Sequence, residues 1–94
     1  MLTLTVDSLD RMNVADFRTE AARAIADSDG RVEVDCSVLE FIDSSGLGAF
    51  LHAHNLLPEE RRPVRLTGVG PKVLTILELM QVHRLFELHS KVQH

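Results

Sequence analysis

At 94 residues, 45% hydrophobic and 26% charged, the chain has the make-up of one globular domain, residues 1–94, neither disordered nor fibrous. Its formal charge of −4 argues against a nucleic-acid binder, whose affinity rests on cationic contacts to phosphate. No apolar run approaches the roughly 20 residues needed to cross a bilayer, and Met1-Leu2-Thr3-Leu4 lacks the charged region and long apolar core of a signal peptide, so a cytoplasmic protein without direct membrane insertion is expected.

Leu2, Leu4 and Val6 alternate with Thr3 and Thr5, the period-two pattern of a half-buried strand. Asp7–Asp10 ends it. Asn13 is suited to cap a helix whose buried face is Val14, Phe17, Ala21, Ala24 and Ile25. Asp27–Gly30 stops that helix, with Gly30 suited to a left-handed conformation. Val32, Val34 and Cys36 then alternate with Arg31, Glu33 and Asp35, predicting a strand with one apolar and one polar face. Such a strand fits a sheet with helices on one side and solvent on the other better than one covered on both. Cys36 has no internal disulfide partner and reads as an inert buried thiol, consistent with a reducing compartment.

Ser37–Glu40 turns the chain back so that Phe41 and Ile42 re-enter the core. A polar turn follows, Asp43-Ser44-Ser45, and then a helix from about Ser45 to Leu57 with Leu47, Phe50, Leu51 and His54 on one face. Either serine is a good N-cap, and Asp43 is placed against the positive end of the helix dipole. Gly46 and Gly48 cost a helix roughly 0.8–1 kcal/mol each relative to Ala. Two glycines in a first turn point to a close approach to the backbone. Pro58–Pro63 reads as a charged linker without regular structure, carrying a basic cluster with Arg65. Pro63–Thr67 is a strand, Gly68–Pro71 a turn, and Val73, Ile76, Leu77 and Met80 the stripe of a last helix that Pro71 can open. Leu85, Phe86 and Leu88 form a short final strand or docked tail, and Lys91–His94 is expected to fray. Alternating strands and helices of ~10–15 residues imply right-handed crossovers and a mostly parallel sheet.

Familiar chemistry fits these residues poorly. No Gly-x-Ser-x-Gly elbow is present, and no histidine stands out as a base. His52 and His54 point in different directions on a helix, and His83, His89 and His94 lack ligand partners at metal-binding spacing. Gly68-Val69-Gly70 lacks the further glycine and the lysine of phosphate loops. No cofactor or metal is expected. Ser44, at the mouth of a helix and among small residues, is chemically suited to accept a phosphate, whose added ≈ −1.5 to −2 charges a helix N-terminus tolerates.

The whole pattern resembles the anti-sigma-factor antagonists of the STAS superfamily over nearly its full length. Val32–Leu51, ending in Phe41-Ile42-Asp43-Ser44-Ser45-Gly46-Leu47, looks like the family's strand, connection and Asp-Ser-Ser-Gly-Leu signature; Arg65–Val73 and the leucine-rich helix to Met80 resemble its next strand and helix. Asp10 falls where the family has the aspartate of a Gly-x-x-Asp turn, and Asp7 stands in place of that glycine. The resemblance implies a single STAS-like α/β domain: a mostly parallel sheet of about four strands, with helices mainly on one face. It implies a switch that is not itself an enzyme. Unphosphorylated, such a protein binds an anti-sigma factor that is also a serine kinase of the histidine-kinase-like ATPase type, and so releases a sigma factor or another target. The kinase phosphorylates the serine after the motif aspartate, here Ser44, and a PP2C-type phosphatase restores it. Asp10, Asp43, Ser44, Ser45 and Gly46 are then the partner-binding residues, and the free protein is expected to be a monomer. The alternative is a structural STAS subunit of a lipid-transport ABC complex; such subunits often carry Thr or Gly in place of the serine, so the intact motif favours the switch.

Overall fold

The alternation of Val32, Val34 and Cys36 with charged neighbours decides the architecture. In the computed structural model, which describes residues 2–90, these three side chains are buried, while Arg31 is exposed and Glu33 and Asp35 are half-buried. The strands are β1 (Leu2–Thr3), β2 (Ser8–Leu9), β3 (Glu33–Asp35), β4 (Phe41–Ile42), β5 (Arg65–Val69) and β6 (Glu87–Ser90). The helices are α1 (Val14–Asp27), α2 (Ser44–Leu56) and α3 (Pro71–Leu79). β1, β3, β5 and β6 form one sheet in that order, every neighbouring pair parallel.

Register places like with like across this sheet. Leu2, Val34, Leu66 and Leu88 stand opposite one another on the core side. One residue back, Glu33, Arg65 and Glu87 line up on the other face. There Glu87 accepts from Arg31 at 2.5 Å and from Arg65 at 2.6 Å, and Arg65 lies 3.8 Å from Glu33. His89 comes within 2.7 Å of the Glu87 carboxylate; its hydrogen bond, with those of the two arginines, holds that carboxyl down to about 2. The polar face therefore stays in water, and the helices cover the other. Phe50 is the centre of the covered side, meeting Phe17 of α1 edge-on at 5.3 Å and Phe86 at 6.1 Å. Cys36 is fully buried, and burial, helped by the Asp35 charge, pushes its thiol up to about 12, so it stays protonated and unreactive at neutral pH.

Several local expectations are corrected. Ser8–Leu9 is a strand, β2, paired in parallel with β4 as a separate two-stranded ribbon; two residues carry no period from which to read it. Phe41 is 51% exposed and does not enter the core, because in so short a strand Ile42 takes the inward position. Gly30 is not left-handed. Gly68 is, at φ 64, inside β5 at a register shift where its missing Cβ admits Ser37; residues 68–69 thus belong to a strand and not to a turn. Met80 leaves the apolar stripe, half-exposed as the C-cap of α3, and the following Gln81 takes the left-handed position at φ 60. The expected fraying of Lys91–His94 lies outside the described residues.

The linker is more ordered than its composition predicts, and its arginines do not cluster. Glu59–Arg61 forms a 3-10 turn. Arg61 donates to the carbonyls of Gly30 (2.7 Å) and Ile25 (3.2 Å) at the end of α1, while Arg62 donates to those of Leu57 (2.9 Å) and His54 (3.1 Å) at the end of α2. Each guanidinium sits at a helix C-terminal end, where the dipole is negative and carbonyls are short of donors, although the His54 carbonyl also accepts the Leu57 N–H. His54, beside Arg62, packs edge-on to Phe86 at 5.9 Å with a buried Nδ1 that has no hydrogen-bond partner among the described residues. Burial, and then the Arg62 charge, hold its pKa below the ordinary 6.5. A depressed folded-state pKa means that the unfolded chain takes up the proton first as pH falls. The associated stability is complete above the unfolded value and is lost below it. The urea midpoint is therefore expected to fall between about pH 7.5 and about pH 5.5, and His54→Leu is expected to reduce that slope; an unchanged slope would rule His54 out as the source.

Candidate functional site

The site grows from the β2–β4 ribbon, which carries two turns to one place. Leu9 pairs with Ile42, so Asp10 and Asp43 leave the ribbon side by side, and the Asp43 N–H donates to the Leu9 carbonyl at 3.2 Å. At the start of the ribbon the Asp7 carbonyl accepts from both Glu40 (2.7 Å) and Phe41 (3.1 Å). Asp7 has no positive φ, so this turn does not depend on a glycine there.

The β2–α1 turn is fastened by its own side chains. Asp10 Oδ2 accepts from the Ser8 hydroxyl and Oδ1 from the Met12 N–H, both at 2.9 Å. Asn13 is at the predicted start of α1 but does not cap it; its Oδ1 accepts from the Asp10 N–H at 2.9 Å and its Nδ2 donates to the Ser8 carbonyl at 2.7 Å. The sequence signal was the Ser8-x-Asp10-x-x-Asn13 spacing, short polar side chains that bond to nearby backbone. Asn13 read as a helix cap alone hides that role.

On the other side, Asp43 and neither serine is the N-cap of α2. Its Oδ1 accepts from the Gly46 N–H at 3.0 Å, with backbone at φ −98 and ψ −174. The helix accordingly starts at Ser44. This leaves Ser44 at the first helical position, exposed, with no hydrogen bond among the described residues to its hydroxyl. Ser45, next along, is half-buried, and Gly46 is buried. A Cβ at Gly46 would stand 2.5 Å from the Leu9 carbonyl oxygen and 2.7 Å from Ile42 Cγ1. The close approach expected at the two glycines is therefore made at Gly46 alone; a Cβ at Gly48 would meet nothing within 4 Å.

All five sequence-predicted site residues thus meet at one junction, in different states. Asp10, Asp43 and Gly46 are occupied in building it, and Ser44 presents a free hydroxyl to solvent. Chemically the junction offers a hydroxyl on a pre-formed helix N-terminus whose dipole and N–H groups accommodate added negative charge. Among the described residues no group of three or more His, Cys, Asp or Glu is placed to hold a metal ion, and no helix is long and apolar enough to cross a membrane.

Residues 2–88 match the family model described as Mlab, STAS domain. No curated protein matches the sequence significantly. Among solved structures, an anti-sigma-factor antagonist (STAS) domain protein from Planctomyces limnophilus is similar, with a TM-score of 0.74 and 18% sequence identity over 90% of this chain and 74% of that one. At that identity the likeness is one of fold.

Proposed function

The chain belongs to the STAS domain family, and from that premise we propose that it is a cytoplasmic, phosphorylation-controlled partner-switching regulator with Ser44 as the phosphoacceptor. The unphosphorylated form binds an anti-sigma factor of the histidine-kinase-like ATPase type and thereby frees a sigma factor or other target. That partner transfers phosphate to Ser44, the complex separates, and a PP2C-type phosphatase resets it. The chain catalyses no step of this cycle. The observation that carries the proposal is the exposed, unbonded Ser44 hydroxyl at the first position of α2, beside the Asp43 cap. Phosphate there needs no rearrangement of the fold, so its effect falls on the partner's surface. Asp10, Asp43, Ser45 and Gly46 are with Ser44 the partner-binding residues; Asp10, Asp43 and Gly46 also hold the turn in the form the partner meets, and Ser45 stands half-buried beside the acceptor.

An intact-mass measurement on protein from its native host, with and without phosphatase treatment and followed by peptide mapping, tests this. The expected result is a phosphatase-sensitive species one phosphate heavier, mapped to Ser44 and absent from Ser44→Ala. Equal phosphorylation of Ser44→Ala would overturn the site. Absence of phosphate across growth and stress conditions would favour the second reading, a structural subunit on the ATPase of a lipid-transport complex. One observation supports that alternative: exposed apolar side chains, Leu79 and Met80 at the end of α3 and Leu85 in the 3-10 turn that follows, stand ready for a constant partner. Co-purification with such an ATPase, indifferent to Ser44 substitution, would establish it.

A further inference from the structure

In the β2–α1 turn and in β4, the two segments that meet at the Ser44 junction, Met12 at 86% exposure and Phe41 at 51% are left in solvent. The backbone at each is fixed by hydrogen bonds of the ribbon and its turn. Phe41 lies in β4 opposite Ser8, three residues before Ser44, and faces away from the core that Ile42 enters. The Met12 backbone is tied by its N–H bond to Asp10, whose chain neighbour Leu9 accepts from Asp43. Phe41 thus precedes the Ser44 turn on β4, and Met12 lies in the β2–α1 turn just beyond Asp10, on the other arm of the same junction. Carboxylates stand at both ends of the ribbon: Asp7 and Glu40, joined by their backbones, at the start, and Asp10 and Asp43 at the end. Arg11 is the cation of this stretch. Asp10 and Asp43 already spend carboxylate oxygens on their own turns, whereas Asp7 and Glu40 are exposed.

We infer that Met12 and Phe41 are the anchors of the partner-binding face, and that the partner presents an apolar recess to them with Lys or Arg set to meet Asp7 and Glu40. The inference rests on the switch proposal above and assigns its energetics to residues outside the signature. A few large side chains, aromatics foremost, supply most of the affinity of an interface, and rim charges supply steering and salt dependence. The arrangement also reconciles an acidic docking face with release by an anion. The cations belong at the Asp7–Glu40 end of the ribbon, whereas Ser44 lies beyond its other end, past Asp43, so a phosphate there would lose water as the complex closed without meeting those cations.

The test uses the native-host kinase that transfers labelled phosphate from ATP to Ser44 of the wild-type chain. Its retention is measured on immobilised wild type, Phe41→Ala, Met12→Ser, the Asp7→Asn/Glu40→Gln pair, and Glu20→Gln on α1 as a distal control. Phe41→Ala and Met12→Ser are each expected to lower retention by about tenfold or more. The carboxamide pair is expected to flatten the salt dependence, and Glu20→Gln to change nothing. Thermal midpoints of the anchor variants should match wild type, since the side chains removed are in solvent. Wild-type retention by both anchor variants, with Ser44 still accepting phosphate, would overturn the anchors and leave the switch standing. Extracts that transfer no phosphate to wild-type Ser44 would overturn the switch and the inference together.

Discussion

Gly46→Ala is expected to destabilise the protein by about 2–3 kcal/mol, and Gly48→Ala to stabilise it by up to about 1 kcal/mol. The helix-propensity gain is the same for both, roughly 0.8–1 kcal/mol, so the difference in sign comes entirely from what each new methyl meets. At position 46 it meets the Leu9 carbonyl oxygen at 2.5 Å and Ile42 Cγ1 at 2.7 Å. The first obstacle is backbone tied into the β2–β4 ribbon and bonded to the Asp43 N–H, so it cannot swing aside as a side-chain tip would. Relief requires α2 to lift from the ribbon, which lengthens the Asp43 cap as well. At position 48 the methyl points into open space. Urea unfolding of the two variants beside wild type, with equal slopes, measures both effects. A Gly46→Ala protein as stable as wild type would mean that the ribbon yields to the helix.

Ser44→Asp is expected to melt no lower than wild type and yet to bind the partner kinase about a hundredfold more weakly. A carboxylate at the first position of α2 interacts favourably with the helix dipole, by about 0.3–1 kcal/mol, so the fold is left intact. In the complex that same carboxylate must lose water against the partner, and a cost of about 3 kcal/mol corresponds to the hundredfold loss. Calorimetric titration of the kinase with each protein, beside their thermal melts, separates the two effects. Equal affinity in Ser44→Asp and wild type would show that negative charge at this position is not what releases the partner.

What could be read in the chain was whatever repeats. Val32–Cys36 announced not only a strand but the solvated second face of its sheet, because alternation reports both sides at once. The three helices were legible from their apolar stripes and from Pro71 at the head of the last. What escaped was contact between segments remote in sequence. β2 is two residues long and exists only because β4 lies beside it. Phe41, apolar and next to Ile42, looked like core until the ribbon set which of the two faces inward. Arg61, Arg62 and Arg65 looked like one patch, although the carbonyls and carboxylates they meet belong to α1, α2 and the open sheet face. At the site, residue types were sufficient to find Asp43-Ser44-Ser45-Gly46, but not to tell the cap from the acceptor. That distinction rests on which side chain reaches the Gly46 N–H, and both serines and the aspartate are competent to do so.

The adjacent guanidiniums that terminate α1 and α2 limit what this chain can accept by insertion or deletion. Surface connections ordinarily tolerate added residues, and 58–63, charged and proline-flanked, looks like the natural place for a tag or a graft. Arg61 and Arg62 are consecutive, however, and each is already spent on a different helix end. A residue inserted between them, or one removed, detaches at least one of the two. The permissive sites of this small domain must be sought elsewhere, and a loop that reads as spacer is in fact of fixed length.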